Sequence, residues 1–462
     1  MYLAERIVLT KGIQKEEYEL ADRSVPLAKL LYNAALFRVR QTFTGWDKEI
    51  RTENEKEVFD ELALLKKAYP KLNVRRVISY NALEKLMRVT DNPDFFAGLP
   101  MQTAQAVIKA AVQDFRNWLA SLKEYRKDPS KFFEKPQMPH YCKKERKSFT
   151  ITNQDAVLYP VYKETEEGEN YAGRELKLPG IRHRLRLPNI PEDAELKEVK
   201  VCPWYGKYML ILVLETEELP VSKERPFMAG VDLGTDNIAA IVTTDHASCV
   251  YKGGVVLSGH RLFHKERAEA VSILTKGRGK QNAHSRHLDY LSRKHDGFTR
   301  DVMHKISADI VRFCEEHRAG TIVIGTNPLW KQRVNMGRAN NQKFMSVPHT
   351  ILRRMIRYKA EAAGITVVLQ EESYTSKADV TVKDRMPVYG KAEEKPVFSG
   401  KREGRGLYRC HGGLVINADC NGAANILRKA IPDAWKDTND FRFLAYPESV
   451  TFRRLNRHRA AV

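Results

Sequence analysis

Seventy-eight Lys and Arg against 58 Asp and Glu give this chain of 462 residues a net charge of +20, which calls for a polyanionic partner, because Lys and Arg that neutralise phosphates release condensed counterions. A hydrophobic share of 42% excludes a largely disordered chain and, at this length, allows about three domains. No apolar run approaches the ~18 residues of a membrane span, and the start, MYLAERIVLTKG, lacks the apolar core of a signal peptide, so the expectation is a cytoplasmic protein with no membrane partner.

Residues 1–12 read as a strand whose partner lies elsewhere in the chain. From 16 to 127 the apolar residues recur at i, i+3, i+4 and i+7, as in PLAKLLYNAALFRVRQTF and TAQAVIKAAVQDFRNWLASLKEY, which predicts helices. The segment DPSKFFEKPQMPHY breaks that pattern with three prolines. After it, SFTITNQ, AELKEVKVCPW and KYMLILVLETEEL predict an antiparallel β domain, closed by the linker ELPVSKERP. Beyond Pro226 the pattern turns α/β. FMAGVDLG and NIAAIVTTD predict two strands, and 301–318 a helix with Val302, Ile306, Ile310 and Phe313 on one face. TIVIG is the next strand, 347–363 a helix ended by Gly364 at its C′ position, and ITVVLQEE a further strand. A loop-rich stretch, 376–413, precedes a last helix, NGAANILRKA. A hairpin-like pair of strands followed by strands alternating with helices suits an RNase H-type sheet, so the fold class is multidomain α/β.

Two aspartates interrupt or end apolar runs. Asp232, in AGVDLGTDNIAAIV, would suffer a large desolvation cost inside a buried strand unless it is paired or metal-bound, or it faces solvent at a strand end. Gly230 and Gly234 beside it would let an ion or a phosphate backbone approach closely. Asp419, in INADCNGAANI, stands just before a helix and could equally be its N-cap. Six cysteines, at 142, 202, 249, 314, 410 and 420, form no CxxC pair, which argues against a zinc ribbon and a disulfide framework. Two basic runs stand out. Residues 261–300, with Arg293 and Lys294, carry ten Lys and Arg against four acids. Residues 123–149 carry nine against four, interleaved with Tyr125, Phe132, Phe133, Tyr141 and Phe149, a composition that suits base stacking along a nucleic-acid backbone.

The ordered series GVDLGTDNIA, HKIS, TIVIG, YKAEAAGI, YTSK and NADCNGAANI, within residues 226–430, resembles the RuvC-like nuclease of the TnpB family, transposon-associated RNA-guided DNA endonucleases to which compact type V CRISPR effectors are similar. LYNAAL, LPMQTAQAV and KPQMPHY extend the resemblance more weakly into the first half. The resemblance implies an RNase H-like RuvC nuclease domain preceded by a helical recognition domain and a wedge-type antiparallel β-barrel. On that plan 1–15 is the first strand of the wedge domain, 16–127 the recognition domain and 128–225 the wedge barrel. The nuclease domain is 226–375 with a basic helical insertion at 261–300; 376–413 is a target-strand loading loop, 414–432 the end of the nuclease domain and 433–462 a tail. It further implies a carboxylate triad on two Mg²⁺ ions, with Mn²⁺ able to substitute. Its partners would be a guide RNA and double-stranded target DNA carrying a short adjacent motif.

Asp232 and Asp419 match the family's first and third acids, but the place of the second is Gly325. We expect its role to fall to Glu371 or Glu372, on the neighbouring strand: adjacent strands lie ~4.8 Å apart, and a glycine leaves room for a side chain to reach across. The candidate catalytic and metal-binding set is therefore Asp232, Glu371, Glu372 and Asp419. The family's paired CxxC motifs are missing from 377–413, so no structural zinc is expected; Lys401, Arg402, Arg405 and Arg409 there, and Lys331, Arg333, Arg338 and Lys343 beside Trp330, suit contact with nucleic acid. Two other functions compete: a nuclease-dead RNA-guided repressor, favoured by Gly325, and a guide-independent RuvC-like nuclease for branched DNA.

Overall fold

Strand β1 (Tyr2–Leu9) alternates exposed and half-buried positions and needs a neighbour to satisfy its backbone. It finds one about 200 residues on, in β7 (Lys207–Glu215), which runs antiparallel to it. The computed structural model describes residues 2–143, 147–165, 168–217, 224–276, 283–327, 348–388, 396–404 and 406–457. They fall into two units, Met1–Glu217 and Glu218–Val462. No helix among the described residues is long and apolar enough to cross a membrane.

In the first unit four α-helices follow β1 among the described residues: α1 (Lys15–Gly45), α2 (Glu53–Ala68), α3 (Tyr80–Val89) and α4 (Met101–Lys127). Their boundaries are chemical. Thr52 and Glu55 form a reciprocal capping box at the start of α2, and the Ser79 hydroxyl accepts from the Ala82 N–H at the start of α3. The buried stripes, Val25, Leu31, Leu36 and Val39 on α1 and Val107, Ile108, Val112 and Phe115 on α4, share one core. The remaining strands are β2 (Phe149–Thr152), β3 (Val157–Thr165), β4 (Gly168–Lys177), β5 (Leu185–Leu187), β6 (Glu195–Trp204) and β7 (Lys207–Glu215). Among the described residues they make two sheets, β1-β7-β6-β2 and β3-β4-β5, not one continuous barrel wall. The hairpin β3–β4, rich in exposed charge and with little apolar alternation, escapes sequence reading.

The second unit is built on one sheet of order β12-β11-β8-β9-β10-β16. Its strands are β8 (Phe227–Asp232), β9 (Asn237–Thr243), β10 (Ser248–Lys252), β11 (Ala319–Thr326), β12 (Thr366–Glu371) and, at the far edge, β16 (Glu448–Val450). The meander β8–β9–β10 is antiparallel, while β11 runs parallel to both β8 and β12. Helices α5 (Gly254–Thr275) and α6 (Arg286–Glu316) join β10 to β11; α7 (His349–Ala362) precedes β12. The helix expected from residue 301 thus begins at Arg286. Ser285 caps it, accepting from the Leu288 N–H, and Leu288 and Leu291 pack on Ala270 of α5. That small apolar seam was hidden in the basic run 261–300.

Side-chain alternation assigns the two faces of the sheet. Val231, Ile241, Ile322 and Ile324 pack under α6 and α7. Val323, Ala240 and Val242 face the other way, against α8 (Ala418–Ala430). Before α8 come three short strands, β13 (Lys401–Arg402), β14 (Leu407–Arg409) and β15 (Val415–Asn417), in one small sheet. The described part of the segment expected to be a tail, residues 433–457, packs on this unit. Trp435, Phe441 and Leu444 are buried against α8, β16 pairs in parallel with β10, and α9 (Phe452–Arg457) follows.

Candidate active site

Asp232 is the last residue of β8 and points to the α8 side of the sheet, where Gly422 receives it. A Cβ on Gly422 would lie 2.6 Å from Asp232 Oδ2, so only glycine lets the helix come this close. Gly230 serves the same packing: its missing side chain is replaced by the Ala423 carbonyl and Leu427 of α8. Gly234 faces the Asn237 carbonyl in the β8–β9 turn. The space beside these two glycines is thus filled by protein, and the expectation that it admits an ion or a phosphate is corrected.

Asp419 is in the first turn of α8 but does not cap it. That role belongs to Asn417, whose side-chain oxygen accepts from the N–H groups of Asp419 (3.0 Å) and Cys420 (3.1 Å). The Asp419 carboxylate is therefore free to be used elsewhere. Asn237 Nδ2 donates to its Oδ2 at 2.7 Å, and Arg402 stands 3.6 Å from its Oδ1.

Glu372 follows directly on the last ladder pair of β11 and β12, Thr326 with Glu371. Its carboxylate lies where a side chain on Gly325 would be, so closely that a Cβ there would collide with Glu372 Oε2 and would come within 2.6 Å of Ile426 Cδ1. Glu371 is engaged differently. It accepts from Lys429 Nζ at 2.7 Å and from the Ser373 N–H at 2.7 Å. Strand alternation does not separate the two glutamates, because the ladder stops between them and both carboxylates come to lie beside α8. The turn that follows separates them.

Electrostatics links three of the four acids. Burial pushes the Asp232 carboxyl well above its usual range, and the negative charges of Glu372 and Asp419 push it further, against the opposing pull of Arg402. Burial raises Glu372 to about 7, with Arg353 of α7 pulling it down and Glu371 adding to the rise. Burial would also raise Glu371, but the bonds from Lys429 and Ser373 more than offset it and leave that carboxyl below its ordinary value. Among the described residues no three His, Cys, Asp or Glu side chains gather tightly enough to enclose one metal ion. Three of the acids are nonetheless near enough for the charges of Glu372 and Asp419 to act on Asp232. An all-oxygen donor set of that kind fits Mg²⁺, which takes one or two carboxylates per ion and completes its shell with water and substrate phosphate.

The basic candidates divide. Arg402 reaches the carboxylates, whereas Arg409, in register with Lys401, is tied to Glu403 at 2.6 Å. Arg293 and Lys294 lie on α6, the first half-buried and the second exposed. Lys331, Arg333, Arg338, Lys343 and Arg405 lie outside the described residues. The loop 375–384 is tied to α8 by a buried polar ladder: Asn421 donates to the Ala378 carbonyl (2.8 Å), Asn425 to the Thr375 and Ala378 carbonyls (3.0 and 2.7 Å), and Arg428 to that of Asp384 (2.7 Å). Asn237, Gly422 and Lys429 were missed from the sequence, although the first two lie inside the motifs GVDLGTDN and NADCNGAANI. Nothing local marks which polar residue of a motif turns inward.

Two family models match the chain, one described as "Cas12f1-like, TNB domain" over residues 349–426 and one as "Probable transposase" (OrfB_IS605) over 211–330. The TnpB-like protein ORF457 of Acidianus two-tailed virus is 26% identical over 322 residues, 63% of this chain and 65% of that protein. The CRISPR-associated endodeoxyribonuclease Cas12f1 of Sulfoacidibacillus thermotolerans is 27% identical over 241 residues, 50% of each chain. The chain thus spans between half and two thirds of the length of these relatives. Among solved structures, a Cas12f1 in a complex with sgRNA and target DNA aligns with a TM-score of 0.47 at 13% identity, over 89% of this chain and 82% of that one. Over these spans the chain is similar to TnpB-like and Cas12f1 proteins, in keeping with the motifs of residues 226–430.

Proposed function

We propose that this chain is an RNA-guided DNA endonuclease whose RuvC-like site consists of Asp232, Glu372 and Asp419. The observation that carries the proposal is the seating of the Glu372 carboxylate over Gly325, which puts an acid where the family's second acid is otherwise missing. The related proteins, one of them named an endodeoxyribonuclease, support the reaction class, and the charge of +20 suits a guide RNA and a target duplex as partners. In that reading base pairing supplies the sequence specificity, and the protein reads a short duplex motif beside the target.

Asp232, Glu372 and Asp419 would hold the divalent ions, Mg²⁺ or Mn²⁺. When bound, two such ions activate the attacking water and stabilise the leaving oxygen of an in-line phosphodiester displacement. The chain's own contribution is positional. Asn237 holds one oxygen of Asp419. Gly422 lets α8 bring Asp419 close to Asp232. Arg402, half exposed beside Asp419, can neutralise a phosphate of the incoming strand. Glu371, bonded to Lys429, takes no part as a ligand.

The test is cleavage of a matched target by the full chain with its copurifying RNA. Asp232→Ala, Asp419→Ala and Glu372→Gln should each abolish cutting and leave RNA and target binding intact, while Glu371→Gln cuts. Efficient cutting in excess EDTA would sink the assignment. Gly325 itself favours a second reading, a repressor that binds without cutting; a wild type inactive with its guide, awakened by Gly325→Glu, would establish it. Cutting of four-way junctions without RNA would point to the guide-independent nuclease.

A further inference from the structure

We infer that Lys429 is a positioning residue for the Glu372 carboxylate, acting through Glu371 as a latch. The inference rests on the reading of Glu372 given above and concerns what keeps that side chain in place.

Glu372 lies just outside the sheet, since the β11–β12 ladder ends with Thr326 and Glu371. An acid inside a strand has its direction set by ladder bonds on both sides; here other contacts must do so. They come from α8. Lys429 Nζ donates to Glu371 Oε2 (2.7 Å), to the Ser373 carbonyl (2.8 Å) and to the Pro387 carbonyl (3.4 Å). The residues before and after Glu372 are thus both bonded to one ammonium. The lysine side chain is only 9% exposed, so these bonds are little weakened by competition from water. Glu371 completes the clasp by accepting from the Ser373 N–H at 2.7 Å. On the far side, Thr375 donates its hydroxyl to the Glu372 carbonyl (2.9 Å) while its own carbonyl accepts from Asn425 of α8 (3.0 Å).

Lys429 and Asp419 stand on the same helix, ~15 Å apart along its axis at 1.5 Å per residue. One rigid element therefore sets both acids: it carries Asp419 at its first turn and grips the turn bearing Glu372 near its last. A ligand moved outside a strand needs such a tie, because metal-binding geometry tolerates little freedom in its ligands.

The experiment measures Mn²⁺ binding by electron paramagnetic resonance of the free ion, on the full chain with guide RNA and a non-cleavable phosphorothioate target. An Asp232→Ala/Asp419→Ala double variant in the same complex supplies the background from nucleic acid. Lys429→Met, which keeps the length and removes the charge, should weaken the excess binding about 10- to 100-fold. The apparent metal constant for cleavage should rise with it, while the rate at saturating Mn²⁺ is largely kept. Lys429→Arg should restore most of the affinity, as loss of bulk packing would not require. Glu371→Gln should weaken binding by less than about 10-fold, because the amide oxygen can still accept one of the two bonds. Should Lys429→Met fail to fold, judged by RNA binding and thermal unfolding, Glu371→Gln decides. Unchanged Mn²⁺ affinity in folded Lys429→Met, or in Glu371→Gln, overturns the latch. Loss in Glu371→Gln as complete as in Glu372→Gln makes Glu371 a ligand and overturns it too. Unchanged affinity in Glu372→Gln instead refutes the reading of Glu372 itself.

Discussion

Gly325 and Glu372 are complementary in space: the volume a side chain at 325 would take is filled by the Glu372 carboxylate, with Ile426 closing the other side. Glycine here makes room for an acid that directly follows the neighbouring strand.

Gly325→Ala tests that complementarity with a single methyl group. The new Cβ must displace either Glu372 or Ile426, and the free end of Glu372 is the easier to move. Cleavage should fall about 10²-fold, the cost of a misplacement of ~1 Å at a reacting centre, with RNA binding unchanged. Gly325→Glu should not help the wild type, since two acids would compete for one place, but should partly restore Glu372→Gln. Full activity in Gly325→Ala would show that Glu372 is not needed where it stands.

The raised acids make a prediction about pH in metal-free protein. A carboxyl whose folded pKa lies above its unfolded value binds more protons in the folded state, so its contribution is fully present below the unfolded pKa and is lost as pH rises through the folded one. For Glu372 that window runs from its ordinary 4.5 to about 7, and Asp232 shifts in the same direction. In EDTA the thermal midpoint should fall between pH 5 and pH 8, and Glu372→Gln should flatten the fall. Added Mg²⁺ should recover most of the loss at pH 8 in the wild type and less in the variant. Equal slopes in both proteins would remove Glu372 as the source.

The segment from which the family's paired CxxC motifs are missing is organised by two aspartates. Asp379, fully buried, accepts from the Thr381 N–H (2.9 Å) and hydroxyl (2.7 Å) and from the His411 N–H (2.7 Å). Asp384 accepts from the Asp379 N–H and Ser399 N–H, both at 2.9 Å, and from the Ser399 hydroxyl (2.6 Å). Hydrogen bonds to a charged acceptor contribute about 1.5–3 kcal/mol each, so Asp379→Ala should lower stability by roughly 3 kcal/mol or more in denaturant unfolding, while a zinc-selective chelator leaves the wild type unchanged. Melting by the chelator would mean that a metal, not the carboxylates, holds this loop.

Association with RNA should weaken steeply with salt. A footprint of 6–10 phosphates loses about 10³–10⁵ in affinity between 50 and 200 mM salt, measurable by filter binding across that range. Nearly flat binding would mean that the net charge of +20 is not the source of affinity.

Local pattern was enough to read the strand–acid motifs. GVDLGTDN, TIVIG and ITVVLQEE are runs whose apolar alternation or continuity gives strands; the first two were legible because backbone propensity and burial agree there, the third from β propensity alone, since its Val368 and Leu369 are exposed. Even the vacancy at Gly325 and the two glutamates that could fill it were legible, since strand spacing is a fixed length. Which glutamate turns inward was not. Glu371 and Glu372 are chemically identical neighbours, and their difference comes from Lys429, 58 positions away from Glu371 in the chain, and from the turn that follows, where the Ser373 N–H donates to Glu371. The same holds for Asp419, which sequence could not tell from an N-cap until Asn417 took that role, and for Trp435 and β16, which join the core through contacts with α8 and β10. Alternation and capping are short-range and repeat along the chain; the partner of a buried charge is set by how distant elements pack, and only the folded chain brings that partner into reach.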